Sequence, residues 1–128
     1  MWPFRKKTAA PLRGAPEVRR MKTYSAESGY AYQYLYEGYR DVLGGNVYVF
    51  SVSADRKTFS PVSIAVMHKA YSGWEHQHDR PLAPNEVYAI AKLGLFGVLD
   101  ANPPAEVAGK EFAISAERAC EILDTLDV

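Results

Sequence analysis

The sequence predicts an α+β fold: an antiparallel sheet of three to four strands in the order β-β-β-α-β-α, packed against one or two helices and preceded by an extended basic arm. Three observations carry the expectation. Tyr30, Tyr32, Tyr34 and Tyr36 recur at every second position, with Ala31, Gln33, Leu35 and Glu37 between them, which is the period of a strand with one ringed face. Pro84 opens a long apolar segment of helical period. Residues 1–22 carry seven bases and one acid, a net +6, so the rest of this neutral chain carries −6.

The arm, 1–22, holds Pro3, Pro11 and Pro16 and no period of either kind, so no long helix forms there. A single domain, 23–128, follows. Its first strand runs from about Tyr24 or Ser28 to Arg40, and Gly44, Gly45 and Asn46 supply the positive-φ residues of a hairpin turn. Val47 to Ser53 is the second strand. Asp55, Arg56 and Lys57 turn the chain again, and Phe59 to Ala70 is the third, with Val62, Ile64 and Val66 on one face. From Ala70 to Ala83 the chain is polar and aromatic, with room for one helical turn.

The helix from Pro84 to Leu99 places Val87, Ile90, Ala91, Gly94, Leu95 and Val98 on a broad face that Tyr88, Phe96 and Leu99 widen, so it packs on more than one side. Gly94 and Gly97 each cost about 1 kcal/mol of helix stability relative to alanine, which implies a close neighbour there. Lys110 to Ile114 is a short fourth strand. Ser115 caps a last helix whose apolar stripe is read as Ala119, Cys120, Leu123 and Leu126.

Composition removes several function classes. A hydrophobic share of 48% with 23% charged residues is globular, and the one cysteine cannot close an internal disulfide, so a cytoplasmic setting is expected. No apolar run reaches the roughly 18 residues of a membrane span. Glu75, His76, His78 and Asp79, with His68 upstream, have metal-ligand chemistry but not the order of a zinc site, and they read as a polar loop around a core Trp74. Cys120 on an apolar stripe behaves as a small hydrophobe. Neither a cofactor nor a metal is expected, and no catalytic residue is assigned.

The functional expectation is a non-enzymatic interaction protein, an accessory subunit that docks to a larger assembly. Its contacts are Trp2, Phe4, Arg5, Lys6, Lys7, Arg19 and Arg20 of the arm and Tyr30, Tyr32, Tyr34 and Tyr36 of the ladder. Trp2 and Phe4 beside three bases also suit peripheral contact with an anionic membrane surface. Alternatively, the basic arm folds back on the acidic body. An acidic body argues against nucleic acid, and a homodimer through Gly94, Gly97 or a sheet edge fits the same pattern. The alternative function is a small-molecule-binding or enzymatic domain with a pocket between the tyrosine face and the loop of Trp74, His76 and His78.

Overall fold

A computed structural model describes residues 12–128. Five strands form one sheet in the order β1-β2-β3-β4-β5: β1 Lys22–Ser25, β2 Ala31–Val42, β3 Gly45–Ser53, β4 Ser60–Met67 and β5 Glu111–Ala113. Three helices accompany it: α1 Ser72–His78, α2 Pro84–Ala101 and α3 Ala116–Leu126. None of the described helices is long and apolar enough to cross a membrane.

The α+β class stands, but the sheet is mixed and larger than the three to four antiparallel strands read from the sequence. Strands β1 to β4 form an antiparallel meander, whereas β5 pairs parallel to β4. The physical reason is the connection: α1 and α2 carry the chain back along the sheet before β5 starts, and a crossover of that kind delivers a parallel strand. The extra strand comes from the segment read as one long strand. Ser28 and Gly29 break it into a hairpin, with Gly29 at φ 97 and the Ala26 N–H bonded to the Tyr30 carbonyl at 2.8 Å.

The next turn is Leu43–Gly44, one residue earlier than the glycine pair suggested, because Gly45 already belongs to β3. Gly45 leaves no room for a side chain; a Cβ there would meet the Met67 Cα and the Val66 carbonyl oxygen at 2.6 Å. The third expected strand stops at Met67, and His68–Ala70 turns tightly into α1.

Helices α2 and α3 cover one face of the sheet. Phe50, Val62, Ile64 and Val66 meet Ile90, Ala91, Leu95 and Leu99 of α2, with Ala119, Ile122 and Leu123 of α3 closing the core. Gly94 is the close approach its cost implied: a Cβ would lie 2.4 Å from Ile114 Cδ1 and 3.6 Å from Ile64 Cγ2. Ala83 has no side-chain acceptor, so half of a capping box operates: Glu86 accepts from the Ala83 N–H at 2.8 Å. Arg80 grips the same carboxylate with two bonds, at 3.0 and 2.9 Å, and this grip with the Ala83 N–H holds the Glu86 carboxyl down at about 2.

At the other end of α2, Asp100 would oppose the helix dipole, yet it accepts from Tyr24 Oη at 2.8 Å and from the Glu27 N–H at 2.9 Å. Tyr24 also stacks on Phe96 at 4.0 Å, so the β1–β2 hairpin is fastened to α2. Ser115 caps α3 by accepting from the Arg118 N–H at 3.0 Å. One residue of the α3 stripe is corrected. Cys120 is exposed, and Ile122 takes its place, because positions 119, 122, 123 and 126 share a face and 120 lies about a quarter turn away.

Candidate functional site

The tyrosine ladder does not continue as a simple alternation. Tyr36 faces Phe50 and Gly38 faces Val49, so Glu37 is an extra residue in β2, a bulge. The slip moves Tyr39 onto the same face as Tyr36, opposite Tyr48. Gly38 makes the bulge workable: its φ is 129, and a Cβ would lie 2.6 Å from the Arg13 carbonyl oxygen. Arg13 and Tyr39 exchange two backbone hydrogen bonds, of 2.7 and 2.8 Å, so the arm adds to the edge of β2 at Arg13.

These rings open a cavity of about 710 Å³ where β2 and β3 meet the start of α2. The sheet supplies Tyr36, Tyr39 and Tyr48, the turn before α1 supplies Tyr71, and α2 supplies Tyr88 with Val87 beside it. Arg13, Gly14 and Pro16 make one wall. The rings pack on one another: Tyr36 to Tyr88 at 4.8 Å, Tyr39 to Tyr48 at 5.6 Å and Tyr48 to Tyr88 at 6.3 Å between centroids. Such a volume is in the range of small-molecule sites.

No family model, curated protein or solved structure matches this chain.

The chemistry of the cavity follows from its own residues. Among the described residues the hydroxyls of Tyr36, Tyr39, Tyr48, Tyr71 and Tyr88 make no hydrogen bond. Burial, reinforced by neighbouring tyrosines, pushes Tyr48 up to about 12 and raises Tyr36 as well; burial also raises Tyr71 and Tyr88. At neutral pH these groups are donors and acceptors, not phenolates. The carboxylate at the rim, Asp41, is already engaged by the Arg13 guanidinium and by Asn46 Nδ2 at 2.9 Å. Arg13 also lies 5.6 Å over the Tyr39 ring.

The residues singled out in the sequence are dispersed. Trp2, Phe4, Arg5, Lys6 and Lys7 lie outside the described residues. Arg19 is paired with Glu37, which also accepts from Ser51 Oγ at 2.6 Å. Tyr32 and Tyr34 are buried, Tyr36 is half-buried, and Tyr30 is 43% exposed beside a separate cavity of about 330 Å³. Tyr32 donates to the Asn102 carbonyl at 3.1 Å.

Trp74, His76 and His78 sit on α1 and are not among the residues lining the tyrosine cavity. Trp74 is buried, stacked on His78 at 4.0 Å with Arg80 at 5.1 Å from its ring. His78 Nδ1 donates to the Trp74 carbonyl at 2.9 Å, and His76 is exposed. His68 bonds Glu75 at 2.8 Å, while the other Glu75 oxygen accepts from the Leu82 N–H at 2.7 Å. Burial opposes the charge of Glu75, but these two bonds hold its carboxyl below the ordinary value. Its work is to tie α1 to the loop ahead of α2.

Of the cavity lining, sequence reasoning picked out Tyr36 alone as a site residue; it missed Tyr39, Tyr48, Tyr71 and Tyr88 and the rim groups Arg13 and Asp41. A glycine inside a strand was the available signal, since Gly38 marks the bulge that brings Tyr39 round.

Proposed function

We propose that the chain is a non-enzymatic recognition domain that binds a small molecule in the tyrosine-lined cavity. One observation carries the reading: five phenol hydroxyls surround about 710 Å³, and among the described residues none is spent on a hydrogen bond. Polar groups brought together without partners cost free energy unless water or a ligand meets them. Phenols are protonated at neutral pH, and burial takes Tyr36 and Tyr48 further from ionising, so they offer hydrogen bonds rather than a general base, which favours binding over catalysis.

The test is an amide-spectrum titration of the full chain with a library of small polar aromatic compounds. Binding compounds are expected to shift the resonances of Tyr36, Tyr39, Tyr48, Tyr71 and Tyr88 together. Tyr36→Phe and Tyr88→Phe keep the rings and remove single hydroxyls, so each is expected to weaken such a ligand by about 3- to 10-fold. A library from which nothing perturbs this set of residues would refute the reading.

A second reading, an accessory subunit docking to a larger assembly or a membrane surface, has one favouring observation beyond the arm. Leu43 at the tip of the β2–β3 hairpin is 99% exposed, and the adjoining Val42 is 40% exposed. That reading predicts a partner whose binding is lost in Leu43→Ser while the cavity residues are untouched.

A further inference from the structure

A smaller cavity of about 220 Å³ adjoins the first and shares Pro16, Tyr36 and Tyr88 with it. Its remaining walls are Val18, Arg20, Lys22 and Tyr34. Lys22 stands opposite Tyr34 in the β1–β2 register, on the face that looks toward α2. Lys92 lies one helical turn beyond Tyr88 and comes up against Lys22. Arg20 and Lys22 therefore line the smaller cavity, and Lys92 stands beside Lys22 next to it.

The bases of the described chain fall into two groups. Arg13, Arg19, Arg80, Lys110 and Arg118 each face a carboxylate. Among the described residues Arg20, Lys22 and Lys92 face none, and neither do Arg56, Lys57 and Lys69, but of these six only Arg20 and Lys22 line either cavity. Lys92 is held below the ordinary lysine value, first by burial and then by the charge of Lys22. At the opposite end Asp41 is already satisfied by Arg13 and Asn46. The uncompensated charge around the two cavities is positive.

Building on the recognition reading above, we infer that the ligand is an organic anion: a planar body among Tyr36, Tyr48 and Tyr88, and a phosphate or carboxylate group held by Arg20, Lys22 and Lys92. The anion supplies the counter-charge that the chain withholds from these bases, and each base contributes donors to its oxygens. The rings offer faces to the body, and the unspent hydroxyls reach its polar edge.

Phenyl phosphate, benzoate and phenol separate the terms when titrated into the full chain and followed by amide shifts. The better of the two anions is expected to bind at least 10-fold more tightly than phenol, with an advantage that shrinks as salt is added. Which anion wins distinguishes a phosphate from a carboxylate. In the double variant Arg20→Ala, Lys22→Ala, both at exposed positions, the advantage should vanish while the phenol affinity and the urea midpoint stay unchanged. Lys92→Met should reduce the advantage in the same direction.

Equal affinity for phenol and both anions, or an advantage that survives the double variant, would overturn the inference and leave the recognition reading standing. Anions that shift no resonance near Arg20, Lys22 and Tyr88 would overturn it too. The recognition reading itself falls only if the wider library also leaves the five cavity tyrosines unmoved.

Discussion

Replacing Gly38 with alanine attacks the fold and the candidate site through one methyl group. The residue sits at φ 129, and the new Cβ would lie 2.6 Å from the Arg13 carbonyl oxygen and 3.2 Å from Leu12 Cβ. Holding an alanine in that backbone region costs about 1 to 3 kcal/mol. The contact is relieved only if the segment at Arg13 moves off, which gives up the two Arg13–Tyr39 backbone bonds at about 1 kcal/mol each. Reduced entropy of the unfolded alanine chain returns about 0.4 to 1 kcal/mol. A net loss of about 2 to 4 kcal/mol follows, a fall of roughly 1 M or more in the urea midpoint. Gly29→Ala is the control: its φ is 97 but nothing lies within 4 Å, so strain acts there without a clash. Urea denaturation gives the total, and hydrogen exchange at the Tyr39 amide reports the local event. If Gly38→Ala keeps both its midpoint and the protection of Tyr39, Arg13 is not seated on the β2 edge and the cavity lacks that wall.

Alkaline titration tests the buried phenols. Tyr48 is moved from 10.0 to about 12, so the folded chain holds more protons than the unfolded chain in that window, and the stability this contributes is complete below pH 10 and is lost toward pH 12. Phenolate absorbance should lag behind that of urea-unfolded chain over this range, and coincident curves would contradict the packing of Tyr48. Asp55 works in the opposite sense. N–H groups of Thr58 and Lys57 and the Ser53 hydroxyl hold it at about 2, below its ordinary 3.8, so its contribution is present above pH 3.8 and fades as pH falls toward 2; Asp55→Asn should flatten that acid limb. Asp100→Ala removes the acceptor of Tyr24 and of the Glu27 N–H and should cost about 1 to 3 kcal/mol, with faster exchange at Glu27 as its local sign. Leu43→Ser, at a fully solvated tip, should leave the unfolding free energy from urea denaturation within about 0.5 kcal/mol of the parent.

Legibility in the sequence followed the range of the interaction that decides each feature. The α2 helix was readable because Pro84, Glu86 and the apolar period all act within a few residues, and α3 because Ser115 caps locally. The β3 and β4 strands were readable from Val62, Ile64 and Val66 and the turns beside them. The parallel placement of β5 was not, since its three residues gain their partner only through the α1–α2 crossover. Likewise the cavity gathers Tyr36, Tyr48, Tyr71 and Tyr88 from four separate segments, and no spacing in the chain announces that meeting. The bulge at Glu37 shifted the ladder for a reason visible locally only as Gly38. Arg13 and Arg19 turned back onto Asp41 and Glu37, the fold-back alternative that the charge division had left open for the arm.

The short β5 strand has a consequence for how this protein guards against self-association. Without it the whole flank of β4 would offer unpaired backbone groups to any passing strand, the usual route to runaway stacking of sheets. Instead Gly109 donates to the Pro61 carbonyl, Ser63 donates to the Lys110 carbonyl and Ile114 donates to the Ala65 carbonyl, at 2.7, 2.9 and 3.0 Å. Six residues late in the chain therefore act as a hem on the sheet. Until they are made and α2 has carried them across, Val62 to Val66 remain a sticky border on the nascent protein, and a break in the loop before Pro104 would put that border back in play.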